Sequence, residues 1–353
     1  MELKIRMGII GMGGIAEGHI RGILQSNDAE LVAICDVDPY TLQQKGAQYS
    51  IAKRFTNYRE LLQCPEIDAV SICTPNHMHY PIAREAIMNK KPFALEKPVS
   101  LNEQEAQELK RLADEHGVTN MVCFSYRFKG AARYAKWLID QGHLGDIYHV
   151  YGQYLFYTSI VGNKPLLWRF RKELAGSGAL GDLGSHMLDL TRFLVGDFQS
   201  VCGHTGTNIS ARKMLDSERM GEVTVDDYCH FMAKLDNGIS ANYSITRCAF
   251  GRFNYQRFEI YGSKGGLVYH LDDSDTLEVC LGDVYGQSRM YQKMSIPPHF
   301  QANQMQAFFD LINGKGDGLA ATLEDGVMNQ RLLDTILHSA EEYKWMDLKG
   351  ELG

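Results

Sequence analysis

No apolar run in the 353 residues approaches the length that a bilayer span needs. The eight cysteines form no CxxC pair, and no His/Cys cluster has the spacing of a zinc site. Basic charge is not in excess: 36 Lys and Arg stand against 43 Asp and Glu, a net charge of -7. That balance argues against nucleic acid or an anionic membrane as the main partner. A GxSxG elbow is missing, so serine hydrolysis has no support. There is no Pro-rich linker, low-complexity tract or internal repeat. The N-terminus, MELKIRMGIIG, is too short and too alternating for a signal peptide. These absences point to a cytoplasmic chain with reduced thiols, several of them in apolar strand-like runs. His77 and His79 form an HxH with no third ligand nearby, so they read as loop histidines and no metal is expected.

What is present divides in two. At about 150 residues per domain, the length suggests two domains. Up to about residue 125, apolar runs (4 to 11, 30 to 36, 68 to 74, 91 to 97, 119 to 125) alternate with helical stretches. That pattern implies βαβ units and a parallel sheet. Beyond it, hairpins dominate. HFMAKLDNGISANYSI turns at Asp236-Asn237-Gly238, and RFEIYGSKGGLVYHL turns at Gly262 to Gly266. The expected architecture is an α/β dinucleotide-binding Rossmann domain over 1–127 and an α+β domain over 128–353. The second domain carries a large, mostly antiparallel open sheet for substrate binding and oligomerisation. The C-terminal helix has the option of packing back on the first domain.

GIIGMGGIAEGHI places Gly11-x-Gly13-Gly14-Ile15-Ala16 directly after a strand and at the opening of a helix. In a nucleotide site, Gly11 allows the tight turn, Gly13 admits a pyrophosphate, and Ala16 permits close helix packing. The helix N-terminus favours the negative charge. Asp36 ends the second strand, where it would accept hydrogen bonds from ribose hydroxyls. Val37 follows in place of an arginine, so NAD is favoured over NADP. Tyr49 and Lys53 match a YxxxK motif, but too early in the chain for short-chain dehydrogenases.

GSGALGDLGSHMLDL, residues 176 to 190, carries two glycines inside a helical pattern, each costing roughly 1 kcal/mol against alanine. On a helix Asp182, His186 and Asp189 share one stripe, beside the apolar stripe of Leu183, Met187, Leu190 and Leu194. Periodicity leaves two readings open: a solvated face with an Asp-His pair, or a face that cofactor or substrate approaches. Gly181 and Gly184 favour the second.

CTPNHMHYP (73 to 81), LEKPVS (95 to 100) and DLGSH (182 to 186) together resemble the glucose-fructose oxidoreductase, inositol dehydrogenase and rhizopine-catabolism family, over essentially the whole chain. The resemblance implies an NAD(P)-dependent oxidoreductase acting on CH-OH groups. It implies that Lys97 is catalytic, with Pro98 after a cis peptide. Thr74, Pro75, Asn76 and His77, with Glu96 and Lys97, would line the cofactor. Asp182 and His186 match the family's acid-base pair. Tyr126, Arg127, Trp168 and Arg169 fall where such enzymes often hold substrate.

The chemistry suits those residue types. Oxidising a secondary alcohol releases a hydride and a proton, and without zinc the proton needs a side-chain base. Histidine titrates near working pH, and an ammonium stabilises developing alkoxide. The expected activity is oxidation of a cyclic polyol, sugar or glycoside, with inositol-type substrates favoured. The alternatives are an NAD-dependent glycosidase or glycoside 3-dehydrogenase and, against the retention of Lys97 and His186, a nucleotide-sensing regulator. The open sheet face implies a homodimer or homotetramer.

Overall fold

The structure is a computed structural model that describes residues 4–157, 159–160, 164–270, 276–282 and 290–348. The chain begins as strict strand-helix alternation: β1 (Ile5–Ile10), α1 (Ala16–Leu24), β2 (Ala29–Cys35), α2 (Pro39–Gln48), β3 (Lys53–Phe55), α3 (Tyr58–Gln63), β4 (Ala69–Ile72), α4 (His79–Met88), β5 (Phe93–Leu95), α5 (Glu103–His116) and β6 (Asn120–Val122). All six strands pair in parallel, in the order β3-β2-β1-β4-β5-β6. In such a sheet ligands bind beyond the carboxyl ends of the strands, where the order reverses, here between β1 and β4. Central strands such as AVSI of β4 are buried throughout, as a sheet covered on both faces requires. β3 escapes the sequence pattern because its three residues, Lys-Arg-Phe, sit half-covered at the sheet edge and carry no apolar run.

The chain continues with α6 (Gly130–Asp140), β7 (Ile147–Leu155), α7 (Lys172–Ala175), a five-residue π-turn (Leu180–Gly184) and α8 (Ser185–Leu194). Then follow β8 (Phe198–Gly206), β9 (Ala211–Lys213), β10 (Met220–Glu222), β11 (Tyr228–Leu235), β12 (Ser240–Thr246), β13 (Tyr255–Gly262), β14 (Gly265–His270), β15 (Thr276–Leu281) and β16 (Gln292–Ser295). The final elements are α9 (Gln304–Ile312), α10 (Leu323–Glu342) and β17 (Met346–Asp347). Nine strands form one sheet, β16-β15-β14-β13-β7-β12-β11-β8-β17, antiparallel except for β7 beside β12. The β11–β12 hairpin turns through Asn237 and Gly238, both at positive φ, the geometry that an Asn-Gly turn supplies.

Two compact units result. One holds residues 1–125 with 302–330, the other 126–301 with 331–353. The division differs from a single cut after residue 127, because the segment after residue 301 completes the first unit. A Cβ on Gly22 of α1 would press on the Met305 side chain. Ser26 Oγ donates to Gln306 Oε1 at 2.7 Å, and Gln306 Nε2 donates to Asp28 Oδ2 at 2.7 Å. The Val122 N–H donates to the Ala321 carbonyl at 2.9 Å. HFMAKL and ISANYSI carry the apolar residues that an open sheet face would have to present to a partner, and here the expectation needs correcting. Phe231, Ala233, Leu235, Ala241, Tyr243 and Ile245 all face the core. The outward residues of these strands are His230, Met232, Lys234, Ser240 and Asn242.

Candidate active site

In the first unit, Gly11 is demanded twice over. Its φ is +90°, and a Cβ there would lie 2.7 Å from the Cys73 carbonyl oxygen. Gly13 and Gly14 are different: a Cβ on either meets nothing within 4 Å. The loop is therefore tight against β4 and open on its other side. Ala16 is buried and Ile15 is exposed. Asp38, Asn57 and Asn102 cap the helices that follow them, whereas no side chain caps α1. An uncapped N-terminus beside an open glycine turn is a ready site for an anion. Met12 N–H donates to Asp36 Oδ2 at 2.8 Å and Asp38 N–H to Asp36 Oδ1 at 3.0 Å. The carboxylate is fixed at the strand end, and Val37 beside it is 88% exposed and offers no cation.

Thr74, Pro75, Asn76 and His77 form the turn after β4. Thr74 Oγ1 and His77 Nδ1 are buried polar atoms without a partner among the described residues. Buried orphans of this kind are uncommon in folded proteins. With the open glycine turn they fit a dinucleotide, whose phosphates and ribose would satisfy them. After β5, Glu96 and Lys97 lead into a cis Lys97-Pro98 peptide. Glu96 is buried. Its Oε1 lies 2.9 Å from His19 Nε2, and its Oε2 accepts the Lys97 N–H at 3.2 Å. His19 Nδ1 lies 2.6 Å from Ser71 Oγ. Burial alone would lower the His19 pKa, but Cys73 and Glu96 outweigh it and raise it to about 10. Burial pushes Glu96 up, and the His19 hydrogen bond and charge more than offset this, leaving it below its ordinary value. The result is a buried ion pair behind the backbone of Lys97. Tyr49 and Lys53 are engaged by Glu17 and Glu66, so their YxxxK spacing has an ordinary surface explanation.

In the second unit the glycines of 176 to 190 have a different cause from the one expected. A Cβ on Gly178 would fall 1.8 Å from the Asp226 carbonyl oxygen. On Gly181 it would meet the Ser177 hydroxyl, and on Gly184 the Leu180 and Ile245 methyls. The protein itself fills these gaps. Asp226 is a residue that sequence reasoning missed. Its Oδ1 accepts Gly178 N–H at 2.6 Å, its Oδ2 accepts Leu180 N–H at 2.8 Å, and its carbonyl accepts Ala179 N–H at 2.9 Å. It thus caps the helical segment that leads into α8. The one signal for it is a pair of acids, Asp226-Asp227, opening an alternating strand.

The π-turn changes the stripe. Asp182 lies within it, half-buried, 3.5 Å from Arg169 Nη1, and the Arg169 guanidinium stacks on Trp168 at 4.5 Å. Single π-turns inside helices are frequent at functional sites. His186 lies on the first turn of α8, its ring 4.4 Å from that of Tyr126 and 6.4 Å from that of Tyr154. The two tyrosine hydroxyls are 2.5 Å apart, and Tyr154 donates onward to Asn254 Oδ1 at 2.5 Å. Burial, reinforced by the Asp182 charge, raises both phenols. Both therefore stay protonated near neutral pH. Arg127 is engaged within the protein. Its guanidinium is buried and grips Asp189, Nη2 to Oδ1 at 2.6 Å and Nε to Oδ2 at 2.9 Å. It holds α8 in place. Tyr126, Asp182, His186, Trp168 and Arg169 are the predicted residues that remain around the π-turn and α8.

Comparison with known proteins shows the family. Residues 5–124 match the model of the oxidoreductase family with NAD-binding Rossmann fold, and residues 132–268 match the GFO/IDH/MocA C-terminal domain. The levoglucosan dehydrogenase of Pseudarthrobacter phenanthrenivorans is 30% identical over 89% of this chain and 88% of its own. The inositol 2-dehydrogenase of Rhizobium meliloti is 24% identical over 98% of this chain and 100% of its own. A solved levoglucosan dehydrogenase holding NADH and levoglucosan superposes with a TM-score of 0.92 at 28% identity, over 99% of this chain and 100% of that one. The chain belongs to the GFO/IDH/MocA family and is an NAD-dependent oxidoreductase.

Proposed function

We propose that the chain oxidises a secondary ring hydroxyl of a sugar or cyclic polyol, with a pyranose as the first candidate. The observation that carries this is the setting of His186: an imidazole at the head of α8, packed on Tyr126, with Asp182 on the π-turn before it. A base, an acid within one turn and neighbouring hydroxyls form a surface that recognises polyols. His186 takes the proton of the reacting hydroxyl. Lys97, which the family resemblance makes catalytic, supplies an ammonium suited to stabilising charge that develops on an oxygen. Asp182, shared with Arg169, orients a neighbouring hydroxyl. Gly13, the α1 N-terminus, Asp36, Thr74 and His77 hold the cofactor. When bound, NAD supplies the acceptor for the hydride.

The pyranose preference over inositol draws on the relatives: the levoglucosan dehydrogenase is more similar than the inositol 2-dehydrogenase. The test is NADH formation on levoglucosan, methyl glucosides and myo-inositol. Steady NADH with a pyranose supports the reading. Steady NADH with myo-inositol alone moves the substrate to cyclitols. Aglycone release without net NADH assigns a glycosidase, and no turnover on any ring polyol removes the proposal.

A further inference from the structure

We infer that His79 is a positioning residue, a clasp between the loop of Thr74 to His77 and the loop of Lys97; the inference rests on the cofactor role proposed above for these loops. His79 opens α4 and is buried, 1% exposed. Its Nε2 lies 2.9 Å from the Thr74 carbonyl oxygen and its Nδ1 lies 2.6 Å from the Pro98 carbonyl oxygen. Those carbonyls belong to the turns that follow β4 and β5, adjacent strands of the parallel sheet. One turn carries the buried orphans Thr74 Oγ1 and His77 Nδ1. The other carries Lys97. Among the described residues, one imidazole therefore ties the two strand-end turns together.

The bonding has a definite proton requirement. A carbonyl only accepts, so two carbonyls at these distances require two N–H donors, and imidazole has both only as the cation. The charged groups that act on His79 are Glu96, which favours the cation, and Lys97, which opposes it. Burial is the largest influence and holds His79 below its ordinary value against the pull of the two carbonyls. The clasp thus has both arms when the ring is protonated and one arm when it is neutral. It tightens as pH falls, and both turns gain order with it.

The test is NAD binding by quenching of intrinsic fluorescence, which needs no substrate and so succeeds or fails separately from the proposed sugar activity. His79→Phe keeps a ring of similar size and supplies no donor. NAD affinity should fall by about tenfold, the ordinary worth of one lost hydrogen bond to a bound geometry. His79→Gln returns an amide donor, and NAD affinity should recover at least partly. In the unaltered protein NAD should bind more weakly as the pH rises through the His79 range, and in His79→Gln that slope should flatten. Should His79→Phe fail to fold, His79→Gln and the pH dependence decide. NAD affinity within twofold of normal in folded His79→Phe would overturn the inference. So would a pH dependence unchanged in His79→Gln.

Discussion

His186→Ala is expected to lower kcat by about 10²- to 10⁴-fold, the usual loss when a general base is removed. NAD affinity, read by fluorescence quenching, should stay nearly unchanged, because His186 belongs to the second unit and Gly13, Asp36 and Thr74 to the first. Lys97→Ala should cost at least as much in kcat. The double variant should fall well short of the product of the two, because the proposed mechanism gives both residues a part in one proton transfer. Near-normal turnover in a folded His186→Ala protein would move the base elsewhere. Asp36 carries a second expectation: kcat/KM should favour NAD, because a 2′-phosphate would meet a fixed carboxylate with no neighbouring cation at Val37. Equal values for both cofactors would contradict it. The His19–Glu96 pair carries a third, in the pH dependence of stability. His19 has its pKa raised from 6.5 to about 10. Its contribution is complete below about 6.5 and is lost progressively as the pH climbs to about 10. Glu96, lowered from 4.5, contributes above that value and loses its contribution as the pH falls below it. Denaturant unfolding of the unaltered protein should therefore weaken across the alkaline range, and His19→Gln should flatten that limb.

At the scale of elements, α8 stays in place through two buried anchors, Asp226 at the segment that leads into it and Arg127 against its body. Removing one partner of the Arg127–Asp189 pair leaves a buried charge, which costs about 3–5 kcal/mol. Asp189→Asn and Arg127→Ala should lower the denaturant midpoint accordingly, while Asp189→Asn lowers kcat far less than Asp182→Asn. An unchanged midpoint would show that the pair contributes nothing. These anchors also mark where the sequence stopped being legible. β1, β2 and the glycine turn were readable because parallel strands are apolar throughout and a nucleotide turn has a fixed spacing. The Asp182-His186 interval was readable too, but its geometry was not: a π-turn has no compositional signature, so a straight-helix stripe was expected. Gly181 and Gly184 signalled close approach, yet composition cannot say whether a ligand or Ser177, Leu180 and Ile245 approaches. Asp226 and Tyr154 act across long sequence separations, which periodicity does not encode. The Arg127–Asp189 pair was not legible because its partners lie 62 positions apart.

The large sheet sets the scale of the whole molecule. Its outward positions on β7 and β11 include Tyr151 and Met232, and Trp345 is exposed beside Lys234 just before the edge strand β17. Aromatic and methionine side chains on an open sheet face favour association, so a homodimer or homotetramer is expected. Light scattering showing a stable monomer at micromolar concentration would rule it out. The return of residues 302–330 to the first unit has a consequence during synthesis. Residue 125 leaves the ribosome roughly 10–35 s before residue 302 at ordinary elongation rates. Through that interval Gly22 has no Met305 against it, Ser26 and Asp28 wait for Gln306, and the Val122 N–H lacks the Ala321 carbonyl. The nucleotide-binding unit is begun first and completed only after residues 126–301 of the other unit have been made, so a nascent chain has its cofactor motif long before it has the support to use it.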